Sequence, residues 1–310
     1  ALPIWVLIRP SSITAKTTDV IAKYAPDYFS IEEFAVITSR HGSGSDFAKL
    51  KVDHMFFTGS PEVGASVASE AGKNLVPVTL ELGGKNPVMV SRDADIVEAA
   101  QRIALGRMAN GGQVCICPDH VYVPVESLDV FVASAVKALR KHFPTVTDNP
   151  DYPSCVNDAN YRRVRGLVDD ARDKGANITV VAPVHQVDPD PDTRKIAPTL
   201  VTGITDDMTI AGEEIFGPVL TVIGYDDEDE AVRIANDSPY GLGGTIWTSD
   251  EEHGLALAAR IETGTIGVNH YALDFAAPFG GVKASGLGRE LGPEGLAPYL
   301  TAKSVYFATR

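Results

Sequence analysis

Cysteine is scarce in this chain: three in 310 residues, at Cys115, Cys117 and Cys155. Three cannot form the disulfide framework that staples small secreted folds. A hydrophobic core must therefore hold the protein, and a reducing, cytoplasmic setting is expected. Positive charge is short as well, with 27 Lys and Arg against 41 Asp and Glu and a formal net charge of −14. A uniformly acidic chain is a poor partner for nucleic acid or an anionic membrane surface. No apolar run approaches the roughly 20 residues of a membrane-spanning helix. The opening ALPIWVLIRP has neither a basic leader nor a small-residue cleavage site, so no signal peptide is expected. Repeats and low-complexity tracts are absent too. What remains is globular composition, 44% hydrophobic and 22% charged, at a length that suits one large or two medium domains.

Apolar runs alternate with longer amphipathic stretches. Strands are expected at 5–8, which reads as buried, and at 34–38, 54–58, 76–81 and 87–90. Helices are expected at 12–24, 62–74 and 94–107. In the last, Ile96, Val97, Ala100, Ile103 and Ala104 share one face. From His120 the alternation restarts, with strands at 121–125, 178–182, 219–225, 245–248 and 265–268. Helices fall at 128–141, 161–174, 228–236 and 250–261. The acidic, proline-broken HQVDPDPDTR is a surface loop. This pattern predicts a parallel α/β fold in two units, with a cleft near Glu81 and Cys115.

Four stretches could carry chemistry. In FFTGSPEVG, Phe56 to Gly64, a strand runs into Gly59 and a helix begins near Pro61. Free N–H groups at such a helix start favour phosphate, but taken alone a plain glycine turn between strand and helix is the more frequent explanation. In LELGGKNP, Glu81 ends an apolar strand. Desolvation there would raise its pKa toward that of a general base. Alternatively, the N–H groups of Gly83 and Gly84 hold it as an ordinary strand-end carboxylate. In NGGQVCICPDH, a Cys115–Cys117 disulfide is geometrically disfavoured, and a zinc site lacks a second cysteine pair. No metal is expected. A nucleophilic thiol needs a lowered pKa, which the turn at 110–112 could supply through exposed N–H groups. The alternative is that both cysteines are small buried hydrophobes, the reading favoured for Cys117 and for Cys155. AGEEIFGPVL and APFGGVKASGLGRE are, taken alone, only turns.

Taken together and in order, FTGSPEVG, LELGGKNP, GGQVCICPDH, EEIFGPV, NDSPYGLGGTIW and PFGGVKASGLGRE resemble the aldehyde dehydrogenase superfamily, from about Arg9 to about Val305. NGGQVCICPD and VTLELGGKNP are most similar to the branch acting on aromatic or medium-chain aldehydes, including coniferyl aldehyde. The resemblance implies an incomplete Rossmann-like cofactor domain (1–82) and an α/β catalytic domain (83–283). It also implies a C-terminal return (284–310) whose last segment, 302–310, is a strand pairing with a second copy in a homo-oligomer. It implies Cys115 as nucleophile, since it follows Gly-Gln-x and precedes x-x-Pro-Asp. Glu81, 34 residues earlier (115 − 81), is then the general base. Gly59, Ser60 and Gly64 match the cofactor turn, and Glu214 and Phe216 the contacts to the nicotinamide ribose and ring. Arg9 and Ser12 sit where a lysine and a glutamate usually meet the adenosine ribose. Losing the negative charge there would tolerate a 2′-phosphate, so NADP is expected to serve at least as well as NAD. The substrate would be a small-molecule aldehyde, aromatic ones included. The family also implies that roughly the first third of a member precedes this chain, including an asparagine of the oxyanion hole, whose loss would cost about 10²–10³ in rate. Two alternatives stand beside the enzyme: a non-catalytic binding or structural remnant of the fold, and an acylating reductase, against which Glu81 argues.

Overall fold

The computed structural model describes residues 5–271 and 274–308. They divide into two compact units, one of residues up to 57 with 62–78, the other of 58–61 with 79 onward. No helix among the described residues is long and apolar enough to cross a membrane.

The first unit opens with β1 (Val6–Ile8), α1 (Ala15–Tyr24) and β2 (Phe34–Val36), the two strands pairing in parallel with Val6 against Phe34 and Ile8 against Val36. The short α2 (Gly44–Phe47) follows, capped by Ser43 and Asp46 in reciprocal hydrogen bonds. The expectation of a buried first strand is corrected here. Trp5 is 73% exposed, and Val6 and Leu7 are exposed as well, because a two-stranded ladder has too little sheet to enclose both faces. Next in sequence come β3 (Met55–Thr58), the turn Gly59–Ser60 and α3 (Pro61–Gly72), with Pro61 at the first helical position.

The second unit holds β4 (Val78–Glu81) from Thr79 on, then β5 (Asn86–Val90), α4 (Ile96–Arg107), β6 (Pro118–Pro124), α5 (Leu128–His142), α6 (Asp158–Asp173), β7 (Asn177–Val180), β8 (Thr199–Thr202) and α7 (Thr209–Gly212). It continues with β9 (Val219–Tyr225), α8 (Glu228–Asn236), β10 (Gly243–Trp247), α9 (Glu251–Ala258), β11 (Thr265–Val268), β12 (Gly286–Leu287) and α10 (Gly292–Leu296). Seven strands form one sheet in the order β11-β10-β5-β6-β9-β8-β7, parallel except where β7 runs against β8. A parallel sheet must be covered on both faces, so its central strands are continuously apolar rather than alternating. Val88, Val90, Val121, Val123, Leu220 and Val222 pack with Ala99, Ala100, Ile103 and Ala104 of α4 and Phe131, Ala135 and Leu139 of α5. On the opposite side Met89, Tyr122 and Ile246 meet Ala231, Val232 and Ala235 of α8 and Leu257 of α9.

Helix α4 starts where Asp95 accepts hydrogen bonds from the N–H groups of Val97 and Glu98. Of its expected face Ala100, Ile103 and Ala104 are buried and Ile96 packs on the core, whereas Val97 is 45% exposed and Ala99 is buried in its place. The strand expected at 302–310 has no counterpart within the single chain. Residues 302–308 are exposed and pair with no strand among the described residues, and 309–310 lie outside them.

Candidate active site

Glu81 closes β4 and stands opposite Gly286 of β12 in the antiparallel register. The N–H of Gly59 donates to its carbonyl at 3.2 Å. The Glu81 side chain is only 4% exposed, and neither carboxylate oxygen has a hydrogen-bond partner among the described residues. Burial, reinforced by Glu290 and opposed by Arg289, pushes the carboxyl up to about 8. The two sequence readings of Glu81 are thereby separated: the Gly84 N–H goes to Glu214 instead.

Cys115 follows the end of α4. Asn110, Gly111 and Gly112 adopt left-handed φ of 48°, 65° and 73° in succession, a path that glycine takes freely and asparagine tolerates. Gln113 locks this path. Its amide nitrogen donates to the carbonyls of Asn110 and Ser154, both at 3.1 Å, and its oxygen accepts the Val156 N–H at 2.7 Å. A turn from Val114 to Cys117 then presents the Cys115 thiol, half-buried and free. The turn does not lower the thiol pKa. Burial first, and then the charges of Glu214 and Glu81, push it up to about 11. Two carboxylates on one thiol outweigh the local backbone dipoles. Cys117 is buried, its thiol turned to the carbonyl of Gly106 at 3.5 Å, and Cys155 is buried too.

Glu214 lies on the segment between α7 and β9. Burial pushes its carboxyl up to about 7, against the hydrogen bond from Gly84. A methyl group on Gly83 would sit 2.2 Å from its Oε2, so only glycine admits the carboxylate there. Phe216 holds a left-handed φ of 47°, an uncommon conformation for an aromatic residue that its surroundings must enforce. They do so through main-chain carbonyls: Asn160 donates to Phe216 at 3.0 Å, Arg163 to Glu214 at 2.9 Å and to Ile215 at 2.6 Å, and Arg107 to Gly217 at 2.8 Å.

Beneath this segment is a buried ion cluster that sequence reasoning missed. Asp119, on β6, takes Lys85 on one oxygen at 2.7 Å and Arg107 on the other at 3.3 Å, and that second oxygen also accepts the Ile215 N–H at 3.0 Å. Lys85 further donates to the carbonyls of Ile210 and Glu213, both at 2.9 Å. The available signal was a charge inside an otherwise apolar strand, PDHVYVP. A fully buried carboxylate requires partners. Next to it His120 is held neutral: burial and then Lys85 push it down to about 3.

The structure thus brings Cys115 into electrostatic range of both Glu214 and Glu81 in the second unit, which also contains Gly59, Ser60 and Phe216. Arg9, Ser12 and Gly64 belong to the first unit. There Arg9 donates to the carbonyl of Gly42 at 3.2 Å, and Ser12 opens a single 3₁₀ turn capped by Ser11.

Residues 5–305 match the model of the aldehyde dehydrogenase family. A probable coniferyl aldehyde dehydrogenase of Caulobacter vibrioides is 41% identical over 303 residues, covering 97% of this chain and 62% of that protein. Among solved structures, a cysteine-to-alanine mutant of aldehyde dehydrogenase C from Pseudomonas syringae, complexed with NAD+ and octanal, superimposes with a TM-score of 0.87 at 32% identity, over 96% of this chain and 62% of that one. Succinic semialdehyde dehydrogenase of Streptococcus pyogenes, in complex with NADP+, gives a TM-score of 0.87 at 30% identity, over 98% of this chain and 67% of that one. The chain therefore spans less than two thirds of the length of the curated relative it matches.

Proposed function

The chain belongs to the aldehyde dehydrogenase family, and from that membership we propose that it serves the oxidation of an aldehyde to a carboxylic acid, with hydride passing to NADP or NAD. The observation that carries this reading is the half-buried Cys115 thiol within electrostatic range of two carboxylates, Glu214 and Glu81, of which Glu81 is buried with no hydrogen-bond partner among the described residues. An unpaired buried carboxylate is costly to maintain unless it is used.

In this reading the Cys115 thiol loses its proton to solvent, the resulting thiolate attacks the aldehyde carbon, and the Cys115 backbone N–H steadies the oxyanion that forms. The nicotinamide, when bound, supplies the hydride acceptor. Glu81 then removes a proton from the water that attacks the Cys115 thioester, and the acid leaves. Glu214 and Phe216 are assigned to the nicotinamide end of the cofactor, Gly59, Ser60 and Gly64 to its phosphates, and Arg9 and Ser12 to the adenosine end. A carboxylate pinned by the Gly84 N–H suits a ribose hydroxyl pair, and the strand–turn–helix at Gly59 suits a pyrophosphate. An aromatic aldehyde is the preferred substrate class, supported by the coniferyl aldehyde relative. Three free thiols suit a reducing compartment.

The test is direct. The purified chain is given coniferyl aldehyde with NADP or NAD, and reduced nicotinamide is followed by absorbance beside a Cys115→Ser variant. Turnover that disappears in the variant is expected. A folded chain without turnover would overturn the reading for this chain, and an NAD preference of tenfold or more, about 1.4 kcal/mol, would overturn the cofactor assignment. We further propose a homo-oligomer. Val305, Tyr306 and Phe307 are exposed, and β11 leaves one edge of the seven-stranded sheet unpaired among the described residues. Light scattering at micromolar concentration should report a dimer or larger, and a monomer would count against it.

A further inference from the structure

We propose that Asn86 is a positioning residue for the Cys115 thiol: its side-chain amide ties the turn that carries the thiol to the two strands behind it. Asn86 is the first residue of β5 and is 2% exposed. Its amide nitrogen donates to the carbonyls of both Cys115 and Cys117 at 2.8 Å. Its oxygen accepts the Gly243 N–H of β10 at 3.1 Å. Only one orientation of the amide satisfies all three contacts, because the flipped one would set an oxygen against two carbonyl oxygens. Backbone pairing does not hold the turn in this way. The β5–β6 ladder shifts register between Asn86 and Pro87, and proline has no N–H to offer.

The tie leaves the turn little freedom. Cys117 N–H closes it onto the Val114 carbonyl at 3.0 Å, so Cys115 and Ile116 are its two central residues. A methyl group on Gly84 would come within 2.8 Å of the Cys115 carbonyl oxygen, and one on Gly243 within 2.8 Å of Ile116 Cγ1. The thiol is therefore held from both carbonyl ends of its turn, while Ile116 is seated on β10. With the turn fixed, Cys115 stays in range of Glu214, Glu81 and Cys117, the groups that together with burial keep it a thiol at neutral pH. Asn86 touches none of the reacting atoms assigned above and acts through the backbone of the nucleophile.

The role rests on the assignment of Cys115 as nucleophile, so its test reads the thiol itself rather than turnover. The full chain is alkylated with iodoacetamide between pH 7 and 10.5, and Cys115 labelling is followed by peptide mass, with the buried Cys117 and Cys155 as internal references. In the parent chain labelling should rise only toward pH 11, as for a thiol raised to about 11. In Asn86→Ala the midpoint should fall toward the ordinary thiol value of about 8.5, with labelling at pH 8.5 at least about tenfold faster. Leu139→Ala, a core truncation in α5 remote from the turn, supplies a chain of lowered stability with an intact tie, and its profile should match the parent. Asn86→Ser, whose hydroxyl can serve one carbonyl, should lie between and is read in the same way if Asn86→Ala does not fold. A parent-like profile in the Asn86 variants, or an equal shift in Leu139→Ala, overturns the proposal. Absence of turnover in the parent would instead overturn the functional reading and leave this test standing.

Discussion

Glu81→Gln is expected to stop the reaction after its first half. The amide keeps the shape of the side chain but cannot take a proton from water. Under the proposed role, acylation of Cys115 proceeds and hydrolysis of the thioester slows by about 10²–10⁴, the usual contribution of a positioned base. The measurement is a rapid-mixing trace: a burst of reduced nicotinamide of one equivalent per site, then almost no steady state, with acylated Cys115 found by mass after acid quench. The pH dependence follows from the raised carboxyl. Burial and Glu290 keep Glu81 protonated up to about 8, so the hydrolytic rate of the parent should climb through neutral pH and level off above 8. In Glu81→Gln that slope should vanish. A variant that keeps both steady-state rate and slope would remove Glu81 from the chemistry.

The same shift predicts the sign of a stability change. The folded chain holds the Glu81 proton more tightly than the unfolded chain does, so ionising it favours unfolding. Parent stability contributed by this group is complete below pH 4.5 and is lost as pH rises toward 8. Glu81→Gln should therefore gain on the parent in thermal midpoint between pH 5 and pH 8, and hold that gain above. Activity and stability move in opposite directions at this residue, as expected where a functional group sits in surroundings that disfavour its charge.

Much of this is legible in the sequence because it rests on local pattern. Helix α4 shows its apolar face and its Asp95 cap, and β5, β6 and β9 carry the apolar runs 87–90, 121–125 and 219–225 that the interior of a parallel sheet requires. Glu81 at the end of VPVTLEL already raises the question of why a carboxylate is left in apolar surroundings, and the structure answers that no described residue bonds it. What stays hidden depends on contacts distant in sequence. Asp119 bonds Ile215, 96 residues away, and Lys85 reaches Glu213 across 128. No periodicity announces such pairs. The thiol pKa departs from expectation for a related reason: the turn at 110–112 is visible in the sequence, while the burial of the thiol, and after it the approach of Glu214, depends on contacts distant in sequence. The strand expected at 302–310 has the right composition, but a strand exists only with a partner to pair with, and 302–308 have none among the described residues.

Asp119→Ala should be the most destabilising single change in the second unit. Burial works against its ionised form, yet Lys85 and Arg107 outweigh burial and hold the carboxyl below its usual range. Removing it leaves two cations facing each other without an anion, since the side chains of Lys85 and Arg107 are 4% and 2% exposed. Breaking a buried pair from one side costs about 3–5 kcal/mol, a large share of the roughly 5–15 kcal/mol that holds a domain together. Urea denaturation of the variant should show that loss, with increased hydrogen exchange at 210–217, where the Ile215 N–H loses its acceptor. Arg163 and Asn160 still grip the carbonyls of that segment, so the exchange should rise most at Ile215 itself. Asp119→Asn keeps the shape without the charge and should recover part of the exchange protection but little of the stability, because an uncompensated buried charge costs more than a lost neutral hydrogen bond. Adding Lys85→Met to Asp119→Ala removes one orphaned cation and should restore some of the loss. If instead the single variant lies within about 1 kcal/mol of the parent, the range of an ordinary surface ion pair, then water or rearrangement satisfies the two cations and the cluster does not anchor Glu214.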